Sequence, residues 1–265
     1  MINAKKGWGG GVDGGQVALL LAAGLGAGAV NAAAGGGSLI TFPALIAVGL
    51  PPKVANVTNS VAVCPGYVAS VAGSRRDLGD QTRTLLRLLP VIVLGTATGC
   101  ALLLVTSEDA FGRVVPFLVL AAAGVLAFQD RLKAVVGRSR AGGGTRSHTV
   151  ALHTLVGIGC VYGGYFGAAL GVMLVAVLGL FVDASLRRIS AMKNVVSAVE
   201  GAVTVAYFAV FADVDWRAVL LLAPATIAGG YAGARIARRV PQRILRTGIV
   251  TYAVVVATAL FVRAF

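Results

Sequence analysis

The feature that most limits what this chain can fold into is its hydropathy pattern, in which long apolar runs alternate with short loops rich in arginine and lysine. Several runs are about 18 to 22 residues long, and a helix of that length spans the roughly 30 Å of bilayer hydrocarbon. Composition agrees: 57% of the 265 residues are apolar and 12% are charged, and the mean hydropathy is +0.87. A soluble domain carries roughly 25% charged residues, so a soluble fold is excluded. The chain reads as an all-α polytopic membrane protein.

The 23 basic and 10 acidic residues leave a net charge of +13, a surplus that in a soluble protein would suggest nucleic acid. Here most cations cluster at residues 75–87, 131–146, 187–193 and 235–246, each beside an apolar run. Loops with excess Lys and Arg stay in the cytoplasm. Glu108, Asp109, Asp213 and Asp215 lie between the clusters, in loops expected to face outward. The location implied is a bacterial cytoplasmic membrane, crossed many times, and no nucleic-acid partner is expected.

Residues 1–15 read as a polar loop; with the apolar run that follows and Asn31-Ala32-Ala33-Ala34 they imitate a signal peptide. We expect the segment to be kept, because the internal repeat described next needs it. Cys64, Cys100 and Cys160 sit inside apolar runs without paired spacing and read as small buried residues. Trp8 and Trp216 suit interfacial anchors, and His148 and His153 read as ordinary interface residues. No cofactor or metal is implied.

Pro90, Gly95 and Gly99 recur as Pro224, Gly229 and Gly233, each 134 positions later. Asn59 recurs as Asn194 after 135 positions, and Gly35, Gly36 and Gly37 align with Ala169, Leu170 and Gly171 after 134. Agreement of three regions on one offset points to two repeats, 16–130 and 149–265, joined by a basic cytoplasmic linker, 131–148. Each repeat has five apolar segments: 16–34, 38–50, 54–73, 85–105 and 112–128, then 150–168, 171–182, 189–211, 217–236 and 244–263. The loop charges start the first repeat outside and the second inside, which is inverted topology. Segments 38–50 and 171–182 are short, at about 18 to 20 Å of helix, and follow glycine-rich breaks. Lipid cannot satisfy backbone groups at a break. The functional reading is two broken or re-entrant helices whose positive N-terminal ends meet near the midplane and hold an anion; the alternative is that the glycines only permit close packing.

Residues 31 to 60 carry a family pattern. The glycine run, Pro43, Gly49 and then Pro51-Pro52-Lys53-Val54-Ala55-Asn56-Val57-Thr58-Asn59-Ser60 resemble the signature of the sulfite exporter TauE/SafE family of membrane transporters. The likeness covers nearly the whole chain and is weaker in the second half, where Ala169-Leu170-Gly171 replaces a glycine-rich run. It implies a transporter of sulfite, thiosulfate or an organosulfonate such as sulfoacetate, driven by protons or the membrane potential.

Lys193, Ser197, Glu200 and Thr204 are spaced i, i+4, i+7 and i+11, so they share one helical face. A charge facing lipid at that depth costs roughly 2.5 to 3.5 kcal/mol, so the stripe should face the bundle interior. Glu200 reads either as a proton-coupling group or as the partner of Lys193 in a structural ion pair. Lys193 either attracts the anion or, as we slightly favour, snorkels to the cytoplasmic surface. Asn59 and Asn194 occupy corresponding places and are expected to donate to one anion from opposite sides; the alternative is interhelical hydrogen bonding between polar side chains. Thr58, Ser60 and Asn31 join them, with backbone groups of Gly35, Gly36 and Gly37, as candidate ligands; Asn56 lies one turn before Ser60.

The expected function is therefore secondary transport of a small sulfur-containing anion by alternating access, with the anion and the lipid bilayer as partners and a homodimer compatible with the chain. A passive anion channel or a carboxylate transporter remains open. An intramembrane enzyme is disfavoured, since no Gly-x-Ser-x-Gly or His-Glu-x-x-His motif or paired intramembrane aspartate occurs.

Overall fold

The computed structural model describes residues 13–33, 35–128, 131, 145–236 and 242–264. Among them the chain forms ten α-helices: α1 Gly14–Ala33, α2 Ser38–Ala47, α3 Pro52–Ser74, α4 Thr82–Val105, α5 Glu108–Ala127, α6 Thr145–Tyr165, α7 Leu170–Phe181, α8 Leu186–Phe211, α9 Trp216–Ile236 and α10 Gln242–Ala264. By length and composition α1, α4, α5 and α8 can each cross a membrane, while α2 and α7 are shorter apolar helices. This is an all-helical, multi-pass membrane architecture. The expectations for Trp8, most of the N-terminal loop, most of the 131–148 linker and residues 237–241 lie outside the described residues.

All ten apolar segments form helices, and several begin earlier than hydropathy indicates. Helix α5 starts at Glu108 rather than 112, because the Ser107 side chain accepts from the Ala110 N–H at 3.2 Å and two acidic residues follow at the positive end. Ser185 caps α8 in the same way, accepting from Arg188. Apolar content marks where a helix meets lipid; polar caps mark where it begins. Trp216 is exposed at the first residue of α9, and the three cysteines are free and buried.

Close contacts fix the helix directions. Gly24 abuts Leu222 and Ala225 while Gly28 abuts Thr226 and Gly230, so α1 and α9 run the same way. Gly95 abuts Gly157 and Cys160 while Gly99 abuts Val161 and Tyr165, so α4 and α6 do too. Thr226 donates to the Ala62 carbonyl and Gly230 lies beside Gly66 and Ser70, which sets α3 parallel to α9. Gly201 meets Cys64 whereas Asn194 reaches Ser70 and Ser74, so α3 and α8 cross antiparallel. Helices α3 and α4 form a hairpin closed by Lys53, whose Nζ donates to the carbonyls of Leu104 at 3.0 Å and Thr106 at 2.6 Å. Hence α1, α3 and α9 point one way and α4, α6 and α8 the other.

Glycines allow these approaches. A Cβ on Gly99 would lie 2.1 Å from the Val161 carbonyl oxygen, and one on Gly229 would lie 2.1 Å from that of Leu25. For these two residues close packing is a sufficient explanation. The apolar core centres on Phe42, Phe111, Phe166 and Phe208, with Phe42 and Phe166 edge to face at 5.4 Å. A second cluster, including Leu88, Val156, Leu174 and Met192, joins α4, α6, α7 and α8.

Candidate functional site

The two breaks are built alike. After α1 the Gly35 N–H returns to the Val30 carbonyl at 3.0 Å, and after α6 the Gly167 N–H returns to the Tyr162 carbonyl at 3.1 Å. Gly35 at φ +86° and Gly167 at φ +72° take the left-handed conformation these turns need, and Ala169 takes it at φ +60° just before α7. Asn31 caps the new helix α2, its Oδ1 accepting from the Gly37 N–H at 2.8 Å. The two helix starts then touch: a Cβ on Gly35 would lie 2.6 Å from the Gly171 Cα. Positive helix ends from opposite halves of the chain therefore abut.

Lys193 lies at this junction. It is 3% exposed, its Cδ sits 3.1 Å from where a Gly171 Cβ would be, and its Nζ donates to the Asn31 carbonyl at 3.1 Å. It does not snorkel, contrary to the favoured expectation. Its side chain turns inward because the glycine junction leaves room for the butyl stem and the end of α1 offers a carbonyl. The alternative ion pair with Glu200 is not formed either. Seven residues separate the two along α8, about 10 Å of helix, and the Glu200 Oε1 instead accepts from Thr204 at 3.4 Å. Ser197, Glu200 and Thr204 are buried with Lys193, so the whole stripe faces the bundle interior.

Glu200 borders a small cavity lined also by Ser38, Ser60, Tyr67, Gly163 and Gly167. Tyr67 on α3 and Ser38 at the start of α2 line it together, so the cavity joins both breaks to α3 and α8. Its volume is about 10 Å³, close to what one water needs. A solute larger than one water fits there only after the helices part.

The other expected ligands have structural partners. Asn59 Oδ1 accepts from the Thr41 hydroxyl, pinning α3 to α2. Asn194 Nδ2 donates to Ser74 Oγ at 3.0 Å near the far end of α3. The two asparagines thus lie on opposite sides of the α3–α8 crossing, some 18 Å apart along the helices, and do not face one anion; equivalent places in antiparallel helices fall at different depths. Thr58 Oγ1 accepts from the Asp215 N–H at 3.0 Å, anchoring the loop before α9. Ser60 donates to the Asn56 carbonyl and keeps its place at the Glu200 cavity. Gly36 meets Leu126 at ordinary contact distance, whereas Gly37 backs onto the Ala27 carbonyl and the Asn31 amide.

Sequence reasoning missed Ser38, Tyr67 and Gly163. Asn56, Ser60, Val63 and Tyr67 repeat on α3 the spacing of Lys193, Ser197, Glu200 and Thr204 on α8, a signal that would have found Tyr67.

The model of the family described as Sulfite exporter TauE/SafE matches residues 20–260. The chain belongs to the TauE/SafE family. Among relatives, a "Probable membrane transporter protein" of Haemophilus influenzae is 25% identical over 239 residues, covering 88% of this chain and 90% of its own. "Probable membrane transporter protein YfcA" of Escherichia coli K12 is 25% identical over 243 residues, covering 88% and 85%. "Probable membrane transporter protein ORF9" of a Sinorhizobium species is 23% identical over 244 residues, covering 92% of each chain. No solved structure matches significantly. TauE/SafE proteins are membrane transporters and not enzymes, and the buried polar stripe belongs to a multi-pass transporter of that family.

Proposed function

We propose that the chain is a secondary transporter that moves a small sulfur-containing anion, such as sulfite, thiosulfate or sulfoacetate, across the bacterial cytoplasmic membrane by alternating access. The observation that carries this reading is Lys193: a buried ammonium whose only hydrogen bond among the described residues is to a backbone carbonyl, placed where two positive helix ends meet. Such a group is expensive at membrane depth unless an anion accompanies it for part of the cycle. The sulfur chemistry rests on the family description.

The helix directions support two inverted repeats, 16–130 and 149–265. The first helices of the halves, α1 and α6, run oppositely, as do α3 and α8, and α4 and α9. Each half also lends its first helix to the other, α1 packing on α9 and α6 on α4. Two such halves can exchange conformations and so exchange the side to which a central site opens. Transport into proteoliposomes across sulfite, thiosulfate, sulfoacetate, sulfate and lactate tests the reading. Saturable uptake of one of the sulfur anions is expected. Non-saturating flux would make the protein a channel, and preference for lactate would make it a carboxylate carrier.

Glu200 is the proposed proton-coupling group. Among the described residues, the titratable and charged groups around it are Tyr67 and Cys64 on α3, Cys100 on α4, Cys160 on α6 and Lys193 on α8. Glu200→Gln keeps the Thr204 contact and cannot ionise. Its uptake rate should lose most of the pH dependence seen with the native protein between about pH 5 and 8. A profile like the native one would make the carboxyl structural.

A further inference from the structure

A second polar pocket lies away from this site, at the end of the bundle where α4 and α6 begin and α7 gives way to α8. It measures about 310 Å³ and is lined by Gln81, Thr84, Arg87, His153, Phe181 and Asp183, among others; that is at the lower end of small-ligand sites, which run from about 300 Å³. It holds one cation and one carboxylate, and among the described residues neither Arg87 nor Asp183 forms an ion pair or a side-chain hydrogen bond; the ion pair nearby is Arg188 with Asp80 at 3.8 Å. Donors and acceptors are divided within the pocket. Arg87 and Thr84 on α4 can donate, and so can Gln81 just before it, whose amide gives one N–H to Asp80 at 3.1 Å and keeps a second. On the other walls the Asp183 carboxylate accepts, and His153 Nε2 accepts in the neutral ring, whose Nδ1–H is given to the Thr149 carbonyl at 2.7 Å. Helices α4 and α6 carry exposed aliphatic side chains at this end, Leu86 at 60% and Val150 at 61% exposure, and the apolar span of α4 begins at Thr82. The pocket therefore lies at the border between headgroups and acyl chains, on the side where basic loops put the cytoplasm.

We propose that this pocket binds a zwitterionic phosphate ester with a primary ammonium, held as the headgroup of phosphatidylethanolamine. The phosphate takes the donors of Arg87, Gln81 and Thr84. The ammonium, two carbons away, donates to Asp183 and His153 Nε2, and the acyl chains lie along Leu86 and Val150. A quaternary choline has no N–H to give, and a glycerol headgroup has no positive charge for Asp183. The bound lipid bridges the α4–α6 pair to the α7–α8 turn.

The purified protein in detergent, examined by native mass spectrometry and thermal unfolding with added lipids, tests this. Phosphatidylethanolamine should be retained, and raise Tm, more than phosphatidylcholine or phosphatidylglycerol. Arg87→Gln should weaken retention of every phospholipid by about tenfold, the size of one charge-assisted hydrogen bond. Asp183→Asn should abolish only the preference for phosphatidylethanolamine over phosphatidylglycerol. Equal retention of all three lipids by the native protein, or a preference untouched by Asp183→Asn, overturns the proposal. Soluble O-phosphoethanolamine is the arm that separates sources: if it raises Tm as much as the lipid at equal concentration, the ligand is a free metabolite and the lipid assignment fails. Both side chains are exposed at helix ends, so the variants are expected to fold, and their circular dichroism checks that they do.

Discussion

Lys193→Met is expected to abolish anion transport while leaving the protein as thermally stable as before, or more so. Methionine keeps the length and apolar stem of lysine and removes the charge. If the ammonium were structural, deleting it would strand the Asn31 carbonyl that now accepts from it at 3.1 Å and lower stability. That carbonyl is at the end of α1 and has a second lone pair, so its loss is small, about 1 kcal/mol. Against this stands the removal of an unpaired charge from the membrane interior, worth roughly 2.5 to 3.5 kcal/mol on insertion scales. The balance favours the variant in stability. For the anion the sign reverses, since a charge-assisted hydrogen bond contributes roughly 1.5 to 3 kcal/mol, or some 10- to 150-fold in affinity. Scintillation binding and thermal unfolding of the same preparation separate the two. A variant that unfolds earlier yet binds the anion normally would mean that Lys193 only ties α8 to α1.

Much of this arrangement is legible in the sequence because period and depth are local properties. The stripe of Lys193, Ser197, Glu200 and Thr204 follows from helical spacing alone, and the structure buries all four. The breaks at residues 35–37 and 163–171 follow from short segments beside glycines. What spacing cannot supply is which partner a polar side chain finds. Asn59 and Asn194 correspond in the repeat, yet antiparallel crossing of α3 and α8 carries them to different depths, where Thr41 and Ser74 take them. From sequence Lys193 reads slightly more readily as snorkelling than as inward, because the deciding feature is the gap left by Gly171, a residue 22 positions away. Tyr67 is not singled out by the sequence, since an apolar helix gives no local sign that its side chain lines a cavity with Ser38 at the start of α2.

Gly35→Ala should be the most damaging single-methyl change in the site, and Gly36→Ala beside it nearly silent. At Gly35 two penalties coincide. The left-handed φ of +86° disfavours any Cβ by roughly 1 to 2 kcal/mol. The new methyl would also stand 2.6 Å from the Gly171 Cα, against backbone that cannot rotate away, and such overpacking costs typically 1 to 3 kcal/mol. Together they predict about 2 to 5 kcal/mol and a forced separation of α2 from α7, hence lower Tm and transport lost with it. A Gly36 Cβ would meet Leu126 at 3.4 Å and Val30 at 3.9 Å, side-chain methyls at ordinary contact distance, so its variant should keep both. Gly171→Ala, whose methyl would meet Gly35 from the other side at 2.7 Å, should resemble Gly35→Ala rather than Gly36→Ala. If instead Gly35 and Gly171 tolerate alanine while Gly36 does not, the two helix starts do not abut. The anion would then have no junction of positive ends to enter, and Lys193 would have to bind it alone.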